Sequence, residues 1–171
     1  MISISMPLTQ PILIDNLLTS EQCASIINNL PATSNTLAID STRLQPGKWT
    51  DANWSKKHSQ NNTNRIKLTT ESSKHIIEYL TPSIPEINDA KDKYVYVCFY
   101  DEDDFCKPHK DPSKYTLIVG LNNDYTGGKL HVGETAVNLK AGSGIMFPGN
   151  MLHSVETIDV GRRWSLTLWL F

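Results

Sequence analysis

Across residues 94–171 the chain is a series of short apolar runs separated by glycine, proline and asparagine turns, and few folds accept that pattern. Val95, Val97 and Phe99 alternate with Tyr94, Tyr96, Cys98 and Tyr100, the two-residue period of a strand. Residues 116–121 are a second apolar strand. Residues 122–128 (NNDYTGG) form a turn, and 129–132 leave it as another strand. Gly142-Ser143-Gly144 turns into Ile145-Met146-Phe147, Pro148-Gly149-Asn150 turns again, and 164–171 form a long final strand. Short strands at such regular spacing suggest a barrel or a double-sheet jelly roll. The expected fold is mainly β, a double-stranded β-helix (jelly roll) buttressed by N-terminal α-helices.

The helices lie before residue 90. Thr19-Ser20-Glu21-Gln22 reads as a helix start, with Thr19 as cap and Gln22 three residues on. Cys23, Ile26, Ile27 and Leu30 then share one face, and Pro31 ends the helix. A second helix begins after Thr70, with Ile76, Ile77 and Leu80 facing the core, and stops before Pro82. The polar stretch 51–64 between them reads as a loop or irregular hairpin, and 49–64, with Trp49 and Trp54, is a candidate mouth for a site. A length of 171 residues suits one domain, with helical support and loop at 1–92 and a jelly-roll core at 93–171.

Charge narrows the partners. With a formal net charge of -2, nothing favours nucleic acid or an anionic membrane. The first fourteen residues lack the basic start of a signal peptide, and no apolar run approaches the roughly 20 residues that span a bilayer. Three cysteines, Cys23, Cys98 and Cys106, with no paired spacing fit a reducing compartment, the cytoplasm by default.

Chemistry enters with His109-Lys110-Asp111. Residues two apart on an extended segment point the same way, so one imidazole and one carboxylate can reach one metal ion. Alone this is weak, because about a third of one such pairing is expected by chance at this composition. His153 follows the turn at 148–150, where a strand begins at a rim. Two histidines and a carboxylate leave open positions on a metal, a set that favours non-haem Fe(II) and oxygen chemistry. On the last strand Arg163, Ser165, Thr167 and Trp169 share one face, and Leu166, Leu168 and Leu170 share the other. A cation and hydroxyls on a strand buried by leucine are costly unless an anion meets them. A guanidinium matches a carboxylate with two parallel hydrogen bonds.

These residues, in this order, resemble the Fe(II)- and 2-oxoglutarate-dependent dioxygenase superfamily, and within it the prolyl-4-hydroxylase-like domain. The resemblance runs from about Tyr94 to Trp169. It takes in Tyr100, His109-x-Asp111, Leu121-Asn122, Gly127-Gly128-Lys129-Leu130, Phe147-Pro148 before His153, and Gly161-Arg162-Arg163-Trp164-Ser165-Leu166. The helix opened by Leu18-Thr19-Ser20-Glu21-Gln22-Cys23 is also similar to this family's N-terminal helix. The resemblance implies His109, Asp111 and His153 as metal ligands. Arg163 would bind the distal carboxylate of 2-oxoglutarate, with Ser165 or Thr167 assisting, and Tyr100 would line the pocket. It implies O2 as oxidant, ascorbate as a candidate reductant, and hydroxylation of a small-molecule, peptide or protein substrate, prolyl groups first. Arg162 and Arg163 both remain available for the carboxylate; strand parity favours Arg163. Gly120 departs from relatives that carry a bulky side chain beside the co-substrate.

Other readings stand beside this one. The acidic run 101–104 lacks the spacing of a calcium loop and reads as a solvated loop. His58, His75 and His131 read as ordinary surface or hydrogen-bonded histidines, and Cys98 and Cys106 as packing. A non-catalytic metal- or 2-oxoglutarate-binding sensor, an oxygenase of another small molecule or nucleobase, and a zinc hydrolase using the same three ligands are the competing functions.

Overall fold

A computed structural model describes residues 8–28, 64–68 and 70–171. Leu30, Pro31, His58 and the candidate mouth at 49–63 lie outside the described residues. The capping box forms as read: the Thr19 amide donates to Gln22 Oε1 at 2.8 Å and the Gln22 amide to Thr19 Oγ1 at 3.2 Å. They open helix α1, Ser20–Asn28, whose Cys23 and Ile26 are buried. Helix α2, Thr70–Leu80, buries Ile76 and Leu80 and stops before Pro82. Pro85–Ile87 is a short 3-10 turn.

Twelve strands follow the chain among the described residues. They are β1 (Ile12–Ile14), β2 (Asn64–Lys67), β3 (Lys93–Tyr100), β4 (Cys106–His109), β5 (Tyr115–Gly120) and β6 (Tyr125–Gly127), then β7 (Leu130–Val132), β8 (Thr135–Val137), β9 (Gly144–Pro148), β10 (His153–Val155), β11 (Ile158–Gly161) and β12 (Arg163–Leu170). A six-stranded sheet runs β1-β9-β5-β12-β3-β2, a four-stranded sheet runs β4-β10-β7-β8, and β11 pairs with β6. Every pairing between named strands is antiparallel. Two facing antiparallel sheets with helices against one of them are the jelly roll that the turn spacing predicts.

Alternation along the strands builds two cores. Val95, Val97 and Phe99 of β3, with Leu166, Leu168 and Leu170 of β12, pack with Ile26 of α1 and Ile76 and Leu80 of α2. The opposite face sends Tyr96, Cys98 and Tyr100 toward Leu130, Val132 and Val155 of the smaller sheet. Both faces of β3 and β12 are therefore covered, and a polar group on the second face is enclosed between the sheets.

One departure concerns a turn. Residues 122–128, read as a turn, contain β6, which pairs with β11. Its partner lies some thirty residues on, so no local pattern announces it. Gly127 (φ 76°) and Gly161 (φ 85°) supply the left-handed backbone at the ends of this ribbon. Among the described residues no helix is long and apolar enough to cross a membrane.

Candidate metal and co-substrate site

Three distant segments meet at one end of the space between the sheets. His109 is the last residue of β4, His153 is the first of β10, and they are direct register partners. Asp111 lies just past β4. Its amide donates to the Gly149 carbonyl at 2.8 Å, and the Gly149 amide donates to Lys114 O at 3.1 Å. The loop carrying Asp111 is thus tied to the turn that delivers His153. Gly149 is required there, because a Cβ would stand 2.1 Å from the Ser113 carbonyl oxygen.

The donor atoms converge. One ligand atom from each of His109, Asp111 and His153 lies within 4.8 Å of the other two. His109 Nε2 is 3.7 Å from Asp111 Oδ1, and His153 Nε2 is 3.4 Å from Oδ2. His109 Nδ1 is 2.8 Å from the Lys107 carbonyl, and His153 Nδ1 is 3.0 Å from the Met151 carbonyl. A carbonyl can only accept, so each Nδ1 carries a hydrogen and Nε2 is the atom turned to the shared space, where it can face Asp111 or, without its proton, bind a metal. This second layer of contacts is what orients metal-binding imidazoles.

Asp111 is equally constrained. Its Oδ2 accepts from Thr116 Oγ1 at 2.7 Å and from the Trp169 indole Nε1 at 3.0 Å. Burial works to raise this carboxyl. The hydrogen bond and charge of His153, the Thr116 hydroxyl and the charge of His109 outweigh burial and hold it below the usual carboxylate value. Oδ1 keeps its lone pairs toward His109. Two imidazoles and one ionised carboxylate on one side of a metal, with the other side open, suit a ferrous ion.

Beside the triad is a small cavity of about 30 Å3. Its walls include Tyr100 and Cys98 of β3, Ile118 of β5, Leu130 of β7, Val155 of β10 and Thr167 of β12. Burial pushes the Tyr96 phenol up to about 12, against the opposing charge of Arg65. Cys98 Sγ lies 3.7 Å from Thr167 Oγ1; burial raises this thiol while the charges of Arg65 and Arg163 oppose the rise.

Arg163 and Ser165 sit on the same face of β12 as Thr167 and Trp169 but just behind the cavity wall. Arg163 is only 2% exposed and donates to Ser165 Oγ at 3.1 Å. Its guanidinium lies 5.3 Å from the Tyr100 ring centre, and Tyr100 is its register partner. Among the described residues no carboxylate pairs with it. Arg162 points the other way, exposed and bound to Asp101. Gly128 makes room for the buried arginine, since a Cβ there would meet Arg163 Cδ at 3.1 Å and Ile158 Cδ1 at 2.3 Å.

Gly120 is not a gap in the pocket. A Cβ at this position would stand 2.7 Å from the Lys140 carbonyl oxygen and 2.9 Å from that of Leu139. The backbone at 139–140 occupies the space a side chain at 120 would take, and Leu139 belongs to the core between the sheets. Gly120→Ala is therefore expected to cost roughly 2 kcal/mol of stability, an overpacking penalty. Urea denaturation measures it, and an unchanged midpoint would mean that the 139–140 backbone yields freely.

The remaining sequence readings fall into place. His131 pairs with Glu156, His75 lies near Glu78, and the buried Cys106 Sγ is 3.5 Å from His109 Nδ1. In the acidic run, Asp101 holds Arg162, Asp104 accepts from the Asp101 amide, and Glu102 accepts from the Gly161 amide. Sequence reasoning missed two site features. One is Arg65, which lines the cavity. The other is the Trp169 donor bond, since parity gave its face but not its partner.

Residues 91–171 match the sequence profile of the 2OG-Fe(II) oxygenase superfamily. Residues 91–171 belong to that superfamily. Its name carries the ferrous ion and 2-oxoglutarate, and two histidines with one carboxylate fit the ferrous ion. Over 73 residues the chain is 37% identical to the mouse (Mus musculus) 2-oxoglutarate and iron-dependent oxygenase domain-containing protein 2, covering 36% of this chain and 21% of that protein. Over 59 residues it is 39% identical to a PKHD-type hydroxylase of Caulobacter vibrioides, covering 32% and 26%. The matched stretches thus span about a quarter or less of these relatives' own length. The chain also shares its fold with solved structures. A viral collagen prolyl hydroxylase from Paramecium Bursaria Chlorella virus-1 aligns with a TM-score of 0.64 at 16% identity, covering 93% of each chain. A Trichoplax adhaerens prolyl hydroxylase, solved with a hypoxia inducible factor peptide fragment, aligns with a TM-score of 0.68 at 15% identity, covering 94% of this chain and 83% of that one.

Proposed function

We propose that this protein is an Fe(II)- and 2-oxoglutarate-dependent dioxygenase that hydroxylates a C–H bond of a small molecule or peptide. Prolyl groups are the first substrate class, because two of the similar structures are prolyl hydroxylases. The convergence of His109, Asp111 and His153 carries the reading. In this reading the three side chains hold the metal through His109 Nε2, His153 Nε2 and Asp111 Oδ1. Bound iron supplies the oxygen chemistry, in which O2 and 2-oxoglutarate are consumed and hydroxylated product, succinate and CO2 are released.

The chain's own residues do the rest. Arg163 and Ser165 receive the distal carboxylate of 2-oxoglutarate, with Thr167 alongside and Tyr100 against the guanidinium. Because Arg163 lies just behind the wall, the co-substrate reaches it past Cys98 and Thr167. Ile118, Leu130 and Val155 keep that channel apolar and exclude water, which strengthens the charge pairing. We read residues 1–171 as one domain, with 1–92 supporting the core at 93–171. With all three thiols unpaired, we place the protein in the cytoplasm.

The test is succinate release from metal-stripped protein given Fe(II), ascorbate, 2-oxoglutarate and oxygen. Release is expected to require both iron and oxygen and to rise with a productive substrate. Tight binding of iron and 2-oxoglutarate without turnover would favour a sensor. Hydrolysis of a substrate with zinc in the absence of oxygen would favour a hydrolase and sink the proposal.

A further inference from the structure

Arg65 shares the inner face of the larger sheet with Arg163 but stands two strands away, and it reaches the cavity that Arg163 does not line. It lies on β2, the edge strand of the larger sheet, in a register row that runs through Cys98 of β3 and Ser165 of β12 to Gly120 of β5. Ile66 points to the helix-side core, so Arg65 faces the space between the sheets. Its guanidinium lies 5.7 Å from the centre of the Trp169 ring. That same indole donates to Asp111. Arg65 thus stands one aromatic ring away from the carboxylate that faces the metal position. Lys67, two residues on and on the same face of β2, lies 4.4 Å from the Tyr94 ring centre. The edge strand presents two cations, each backed by an aromatic ring.

This arrangement suits a planar anion. A guanidinium over an indole ring is steadied by it, and its planar set of N–H donors can add a carboxylate partner. Among the described residues lining the cavity, Arg65 is the one guanidinium or ammonium group. A phosphate, with more charge and a third oxygen to satisfy, would find no second such group among the described wall residues.

We propose that Arg65, braced on Trp169, binds a carboxylate of the primary substrate, so that the oxidised carbon lies close to that carboxylate. This rests on the hydroxylase reading above, which assigns 2-oxoglutarate to Arg163 and leaves Arg65 to the second reactant. The carboxylate has two sources: the main-chain carboxylate of a free amino acid or chain terminus, or an aspartate or glutamate side chain within a peptide.

The experiment is binding calorimetry on the full chain loaded with Zn(II) and 2-oxoglutarate, so that no turnover is required. One arm compares the N-acetyl amino acids, N-acetyl-L-proline among them, with their amides. The other compares blocked Asp-Pro and Pro-Glu dipeptides with blocked Asn-Pro and Pro-Gln. In at least one arm the acid is expected to bind roughly tenfold or more tightly than its neutral partner, with the preference falling as salt rises. Arg65→Gln should bring acid and amide within about threefold. Arg65→Lys keeps the charge without the flat stacked fork and should retain a reduced preference. A preference in the first arm identifies a free carboxylate, and one in the second an acidic peptide. No acid preference in either arm, no binding by any acid at millimolar concentration, or a preference that survives Arg65→Gln overturns the proposal. Acid preference in a protein that never releases succinate would defeat the hydroxylase reading and leave the Arg65 assignment standing. Succinate release without acid preference would do the reverse.

Discussion

Asp111→Asn is expected to lose ferrous iron, and with it turnover, as completely as Asp111→Ala, while the metal-free fold stays close to wild type. The reason is orientation. Trp169 Nε1 can only donate, and it sits 3.0 Å from Asp111 Oδ2, where Thr116 Oγ1 also donates at 2.7 Å. An asparagine must turn its carbonyl oxygen toward this pair. Its NH2 then takes the place of Oδ1 and points at His109 and the metal position, so a donor stands where a lone pair is needed. Asp111→Ala loses the ligand too, but it also strands a buried indole N–H. That variant should be about 2 kcal/mol less stable than Asp111→Asn. His153→Ala belongs to the same experiment. It should lower iron affinity by more than the roughly 10–100-fold that follows loss of an outer partner of a ligand. Bound iron, succinate release and metal-free thermal melts of the three variants measure these effects; melts of loaded protein would mix in the binding energy. Retention of tight iron binding by Asp111→Asn would mean that the carboxylate is not a ligand.

What the sequence revealed follows from where the physics is local. The last strand was legible because leucines at every second position on one side leave Arg163, Ser165, Thr167 and Trp169 on the other, whatever the strand pairs with. The Thr19–Gln22 capping box spans three residues and formed as read. Parity alone separated Arg163 from Arg162; in the fold Arg163 is enclosed, while Arg162 lies out on Asp101. The triad needed the joint pattern, since His109-x-Asp111 alone says little.

Non-local features were not legible. The four residues of β2 contain a single apolar side chain, Ile66, and nothing in Asn-Arg-Ile-Lys announces a strand. Only pairing with β3 carries Arg65 into the row of Cys98 and Ser165. The β6–β11 ribbon was hidden for the same reason. Gly120 was read as a missing side chain, whereas its role is a close backbone approach from 139–140, which only coordinates reveal. Edge strands and close approaches are set by partners far along the chain, so a window of a dozen residues does not contain their cause.

Arg163→Met should separate a co-substrate anchor from a structural arginine more sharply than any loss of activity. Arg163 is 2% exposed; its guanidinium meets a neutral hydroxyl and an aromatic ring and, among the described residues, no carboxylate. Enclosing a cation in that state costs free energy that an anion would offset. Methionine keeps most of the packing against Tyr100 and removes the charge. The metal-free, 2-oxoglutarate-free variant should therefore melt no lower than wild type, and higher if the desolvation cost dominates. Addition of 2-oxoglutarate should raise the melting temperature of wild type and not of the variant. In turnover the half-saturating 2-oxoglutarate concentration should rise by roughly a hundredfold or more, the range for truncating one partner of a buried charge pair. Iron should still bind, because none of the three converging ligand atoms belongs to Arg163. A structural arginine would give the opposite signature: a lower melting temperature without ligand and an unchanged 2-oxoglutarate requirement. That outcome would move the distal carboxylate to another cation, and Arg65 would then have to be reassigned from substrate to co-substrate.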